Sequence, residues 1–176
     1  MAAVGDTMWA RFLVELLGHW PSDRTRYVRG TTVMNELRMR KDAAEVQALL
    51  AAGAAIDRVH AAVPALLRPG RTEREVGADI ADLILTEGHV RVDFVIVGSG
   101  PNGASPHHEV SDRVLERGDA VVVDIGGTMP DGYRSDCTRT YAIGFAPEGF
   151  AEQYDVLQRA QAAAVAHARP GVSCES

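Results

Sequence analysis

Apolar residues recur at helical spacing through the first half of this chain and gather into short runs in the second. Met8, Trp9, Phe12, Leu13, Leu16, Leu17 and Trp20 fall on one face, which predicts an amphipathic helix beginning at about Asp6, ending near Gly18 and stopped by Pro21. A short irregular or strand-like stretch is expected around Tyr27 and Val28 and over residues 31–37. Asp42, with Glu45 three residues on, predicts a capped start to a long helix. Its apolar face runs Val46, Leu49, Leu50, Val59, Val63, Leu66 and Leu67, with a kink expected at Pro64 and an end at Pro69-Gly70. Thr72 and Glu75 form a second capping pattern, opening a helix with Val76, Ile80, Leu83 and Ile84 that Gly88 closes.

Strands are predicted at about residues 92–97, 120–124 and 138–143, before a last helix through Phe150, Tyr154, Leu157 and an alanine-rich stretch to His167. Arg68-Pro69-Gly70-Arg71-Thr72 returns as Arg169-Pro170-Gly171-Val172-Ser173, each time after a long helix. An internal duplication whose second copy stops at its first turn would give this pattern, with Ser173 placed to cap as Thr72 does. Pro-Gly as a common helix stop is the simpler account.

The length of 176 residues allows one sizeable core, or one domain with an appendage. A net charge of −6 argues against a nucleic-acid partner. Arg24, Arg26, Arg29, Arg38, Arg40 and Lys41 cluster without regular aromatic interleaving, as on a solvated face. Cys137 and Cys174 are too few for a disulfide framework and suit a reducing compartment. Asp6, Arg11 and Glu15 interrupt any signal-peptide core, and no stretch reads as long enough to cross a membrane. The expected location is the cytoplasm.

Candidate chemistry is densest in the run from Asp124 to Thr140. Val121, Val122 and Val123 lead into Asp124, so an apolar strand is expected to end on a carboxylate; Asp136 stands at the far side of a turn containing Asp131-Gly132. Carboxylates meeting across a hairpin repel unless a cation lies between them, which suggests a hard-cation site. Aspartates that only cap the turn are the plainer alternative.

Gly98-Ser99-Gly100-Pro101-Asn102-Gly103 fits G-x-G-x-x-G after a strand, but Pro101 and Pro106 deny it the helix a dinucleotide site requires. It reads as a Gly-rich loop under a cleft. His107 and His108 follow, and in extended chain only one of two adjacent side chains faces a given side. That one could donate to a substrate carbonyl or accept a proton. His19, His60, His89 and His167 read as structural or surface residues.

Taken together, Ile96 through Gly103, Pro106-His107, Gly118-Asp119, Val123 through Gly126 and Gly132 through Thr140 resemble the metal-dependent Xaa-Pro peptidases. These form the prolidase and aminopeptidase P branch of the M24 pita-bread peptidases. The resemblance implies an α+β fold of mixed α/β type, the first half of a duplicated pita-bread domain over residues 36–176. Residues 1–35 would be a remnant of a separate N-terminal domain. It implies hydrolysis of the bond before proline in a dipeptide or short peptide, with Asp124 and Asp136 as metal ligands for two divalent ions that activate a water. Manganese or cobalt is the expected metal, with zinc as an alternative, and His107 is the implied catalytic and substrate-binding residue. Tyr133 and Arg139 match family positions and read as scaffold.

The family's remaining histidine and two glutamate ligands belong to the second half of its duplicated domain. The chain is therefore expected to be a middle slice of such an enzyme, inactive alone, with no nucleic-acid or membrane partner and forming a homodimer when complete. A non-catalytic peptide- or protein-binding relative and methionine aminopeptidase chemistry are the alternatives.

Overall fold

The computed structural model describes residues 1–5, 8–173 and 175, with backbone alone at 32 and 33. They divide into two compact units, Met1–Gln47 and Ala48–Ser176. In the first, β1 (Ala2–Val4) pairs in parallel with β2 (Tyr27–Arg29), and α1 (Ala10–His19) supplies the crossover that parallel strands need. The Tyr27 hydroxyl donates to the carbonyl oxygens of Leu16, at 3.2 Å, and of Trp20, tying β2 to the end of α1. Asp6, where spacing placed the helix start, lies outside the described residues, as does Cys174.

Residues 31–37 are helical, not strand-like: α2 spans Thr31–Met39. Thr31, Thr32 and Val33 are β-branched and suggested a strand, but Met34, Glu36, Leu37, Arg38 and Met39 are good helix formers and decide the window. Asp42 and Glu45 cap α3 (Ala43–Leu66) reciprocally: Glu45 N–H donates to Asp42 Oδ1 at 2.9 Å, and Asp42 N–H to Glu45 Oε2 at 2.8 Å.

The second unit is built on an antiparallel sheet in the order β3–β4–β5, from β3 (Arg91–Ser99), β4 (Ala120–Thr128) and β5 (Cys137–Ala142). Most of α3 and all of α4 (Glu73–Thr86) belong to it. Ile56, Val59 and Val63 of α3 and Val76, Ile80 and Ile84 of α4 form one buried cluster with Val97, Val121, Val123 and Ile125 of the sheet. Each of these side chains, fully buried, contributes about 1.5–3 kcal/mol.

The capping box at Thr72 is present in both directions: Glu75 N–H donates to Thr72 Oγ1 at 3.2 Å, and Thr72 N–H to Glu75 Oε2 at 2.8 Å. Val46, Leu49 and Leu50, which spacing assigned to the apolar face of α3, are exposed, because burial begins only at Ala52. Pro64 falls in the last turn, so the helix stops within two residues instead of kinking midway. With 24 residues α3 does have the length and apolarity of a membrane span, contrary to the length reading. Ala52, Ala55, Ile56, Val59 and Val63 are buried, so one apolar face of the helix serves the core.

A 3₁₀ helix (Gly100–Ala104) follows β3, and α5 (Phe150–His167) ends the ordered elements without a buried residue. Val156, Leu157 and Val165 of α5 are exposed. The two Arg-Pro-Gly steps have the same geometry, with φ +93° at both Gly70 and Gly171 and a 3.3 Å bond back to each arginine carbonyl. A Pro-Gly turn of type II produces that geometry by itself.

Candidate active site

Alternation along β4 decides what Asp124 can do. Val121, Val123 and Ile125 point into the core, so Val122 and Asp124 occupy the opposite face. Asp124 does not end the strand: β4 runs on to Thr128, since Gly126 and Gly127 allow close approach. A Cβ on Gly126 would stand 2.5 Å from the Ser135 carbonyl oxygen and 2.6 Å from the Phe94 ring.

The β4–β5 register sets Asp124 against Thr138 and Ile125 against Cys137. Asp136 precedes β5 by one residue and continues this register, two residues from Thr138 and so on the same face as Asp124. Asp136 is exposed, while Asp124 is partly buried and accepts a 2.7 Å bond from the Thr138 hydroxyl. The turn joining them is closed by a 2.7 Å bond from Met129 N–H to the Tyr133 carbonyl, with Gly132 at φ +88°. Tyr133 N–H donates to Asp131 Oδ1 at 3.0 Å.

Cys137 lies on the core side of the sheet, and burial pushes its thiol pKa up. It is no partner for the aspartates. Arg139 reaches from β5 to Asp57 on α3 at 3.4 Å, which fits a scaffold role.

His107 is exposed, in the loop beyond the 3₁₀ helix. With Phe94, Ile96, His108 and Val110 it lines an open cleft of about 430 Å³. Ile96 is the register partner of Asp124, so the histidine loop borders β3 beside the face that bears the two aspartates. The two histidines part as extended chain requires: His108 turns inward, its Nε2 2.7 Å from Glu73 Oε2.

Glu73 was not singled out by the sequence. It has no exposed surface, and six donors converge on its carboxylate. Oε1 accepts from Ser99 N–H at 2.8 Å, the Ser99 hydroxyl at 2.7 Å and Asn102 Nδ2 at 3.0 Å. Oε2 accepts from His108 Nε2, Ser111 N–H at 3.2 Å and the Ser111 hydroxyl at 2.6 Å. Burial alone would raise its pKa, but the bonds from Ser111, Ser99 and His108 outweigh this and hold it at about 2. A glutamate in the first turn ordinarily reads as a complement to the helix dipole, which is why spacing passed over it.

Next to it, Arg113 Nη1 donates to Ser99 Oγ and to Asp119 Oδ2, both at 2.7 Å. Burial raises the Asp119 pKa and this arginine lowers it, the net direction being down. Backbone bonds from Glu73 N–H to the Arg113 carbonyl and from Arg74 N–H to the Ser111 carbonyl, both 3.0 Å, lay residues 111–115 along the start of α4.

Two histidines set aside as structural are buried under the sheet. His60 Nε2 meets the Cys137 carbonyl and its Nδ1 the Tyr141 hydroxyl, both at 2.9 Å. Burial lowers the His60 pKa. His89 joins the Ile84 carbonyl to the Ser135 hydroxyl.

An antiparallel sheet backed by helices, in a mixed α/β pita-bread arrangement, defines the fold class of the prolidases and aminopeptidases P. The chain belongs to metallopeptidase family M24, whose model matches residues 47–176. It is 56% identical over 176 residues to the probable dipeptidase PepE of Mycobacterium tuberculosis, covering 98% of this chain and 45% of that protein. It is 35% identical over 144 residues to the Xaa-Pro dipeptidase of Pyrococcus furiosus, covering 81% and 41%. Among solved structures, PepE from Mycobacterium ulcerans matches with a TM-score of 0.83 at 59% identity, covering 93% of this chain and 44% of that one. The prolidase from Pyrococcus horikoshii OT3 matches with a TM-score of 0.88 at 30% identity, covering 98% and 50%. The chain thus spans less than half the length of the curated relatives just named.

The family implies divalent metal. Asp124 and Asp136 offer oxygen donors on one face, which suits manganese or another hard cation. Among the described residues no cluster of three or more His, Cys, Asp or Glu could hold an ion, so a cation at this pair would need further ligands.

Proposed function

We propose that this chain carries the first two metal ligands and the substrate histidine of a dipeptidase that cleaves the bond preceding proline. The observation behind the reading is the placement of Asp124 and Asp136 on one open sheet face, with the His107 cleft bordering it through Ile96. Asp124 would be oriented by the Thr138 hydroxyl, leaving its second oxygen for a cation. Asp136, exposed at the mouth of the hairpin, would be the second residue to hold divalent metal. Divalent ions held there would polarise the scissile carbonyl and lower the pKa of water.

His107 would donate an imidazole N–H to the substrate carbonyl oxygen as negative charge develops on it. Phe94 and Ile96 would give the substrate an apolar wall. The family names of the relatives support dipeptides as substrates, and the sequence composition supports a cytoplasmic protein. Manganese or cobalt, a proline in the second position, and a homodimer of the complete protein belong to the same proposal. Residues 1–35 are read as the end of a preceding domain.

The test is elemental analysis and hydrolysis of Xaa-Pro against Xaa-Gly dipeptides by the full-length protein. Asp136→Ala should take the manganese content from two ions to one or none and lower kcat by a factor of about 10³ or more, with the fold retained. Unchanged metal stoichiometry in that variant would overturn the ligand assignment.

A further inference from the structure

The loop that carries His107 is held at both of its ends by one side chain. Ser99 and Asn102 bond to Oε1 of Glu73, and His108 and Ser111 bond to Oε2. His107 lies in the arc between these two anchors. We propose that Glu73 is a positioning residue for His107, the two carboxylate oxygens fixing the separation of the loop ends and hence where the imidazole stands. The inference rests on the reading of His107 as the substrate-contacting residue.

The chemistry of the anchors makes the carboxylate specific. An ionised glutamate only accepts, and every group converging on it can donate. A glutamine of the same shape would turn an NH₂ toward donors on one side or the other. The backbone N–H of Ser99 or that of Ser111 would then face a donor and lose its partner. Packing would be nearly unchanged, because the side-chain volumes match. Two neighbours reinforce the arrangement. Arg113 holds the Ser99 hydroxyl from outside the loop, at 2.7 Å. Gly77 on α4 lets Val110 approach so closely that a Cβ there would meet Val110 Cγ1 at 3.0 Å.

A group that serves only folding would loosen the unit as a whole. A positioning group acts through His107, and this separates the two roles. The experiment compares Glu73→Gln, the milder Ser111→Ala, His107→Ala and the double variant Glu73→Gln/His107→Ala in the full-length protein, with kinetics on the manganese-loaded form and the ring signal and exchange on the metal-free, diamagnetic form. Three readouts are taken: Xaa-Pro dipeptide kinetics, amide hydrogen exchange, and the NMR signal of the His107 ring.

Glu73→Gln is expected to lower kcat by about 10–100-fold, with KM changed far less. Exchange should accelerate more within residues 99–111 than at Val121, Val123 or Ile125, where only the loss of global stability shows. The His107 ring signal should shift or broaden, Ser111→Ala should give a smaller effect of the same kind, and the double variant should be no slower than His107→Ala alone. Additive losses in the double variant, an unmoved His107 ring signal, or equal acceleration of exchange in the loop and across β4 would each overturn the proposal. If the unaltered protein hydrolyses no Xaa-Pro dipeptide, or His107→Ala costs nothing, the functional reading fails. The ring signal and loop exchange still decide whether Glu73 places His107.

Discussion

Glu73 and His60 are both buried ionisable groups with lowered pKa values, for opposite reasons. Burial works against the charged glutamate and is outweighed by donors, whereas burial of His60 itself favours the neutral ring. Both shifts act in the same direction on stability. A carboxyl held at about 2 instead of 4.5 contributes stability that is complete above pH 4.5 and lost as pH falls toward 2, about 3 kcal/mol in all. A histidine whose folded pKa lies below 6.5 contributes stability that is complete above pH 6.5 and lost on acidification below it. Urea unfolding should therefore show two stages of acid destabilisation, one beginning near pH 6.5 and one below 4.5. His60→Gln should remove the first stage and leave the second; a curve flat between pH 7 and 5 in the unaltered protein would refute the assignment. Neither residue announced itself in the sequence, because the partners that matter lie far along the chain. The Tyr141 hydroxyl meets His60 from 81 residues away.

At the scale of elements, the hairpin of β4 and β5 was the most legible part of the chain. Consecutive valines, a carboxylate, and an Asp-Gly turn gave the strands and their pairing, and only the ends differed. β4 overran its predicted end because two glycines continue it where side chains would collide. Gly126→Ala is thus expected to destabilise the protein by about 1–3 kcal/mol, since the new methyl group meets the Ser135 carbonyl and the Phe94 ring at 2.5 and 2.6 Å. Urea denaturation checks this, and a loss under about 0.5 kcal/mol would mean the strands part at no cost. The capped helices were equally readable, since each capping box is local in sequence. The 31–37 segment was not, because three β-branched residues outweighed their helical successors when read alone.

For the molecule as a whole, the coverage of relatives sets the expectation. Two oxygen donors on one face, with no larger ligand cluster among the described residues, cannot complete a two-ion site. Residues 1–176 produced by themselves should show no manganese-dependent hydrolysis of a Xaa-Pro dipeptide, whereas the full-length protein should show it. Turnover by the shorter chain would mean that other groups supply the missing ligands. The family and the fold were visible in the sequence through local motifs, and the hairpin that places the aspartates on one face was as well. The support of the site was not, and the reason is topological. Donors to Glu73 come from 26, 29, 35 and 38 residues downstream. Contacts of that span cannot form until the intervening chain has closed, so they come after local turns and caps in the course of folding. The Thr72 cap can form as soon as its own turn of helix does. Its neighbour must wait for β3, the 3₁₀ turn and the histidine segment to arrive. The loop proposed to meet substrate would then be among the last parts of the molecule to take a definite shape, and competence to bind would signal that folding is finished.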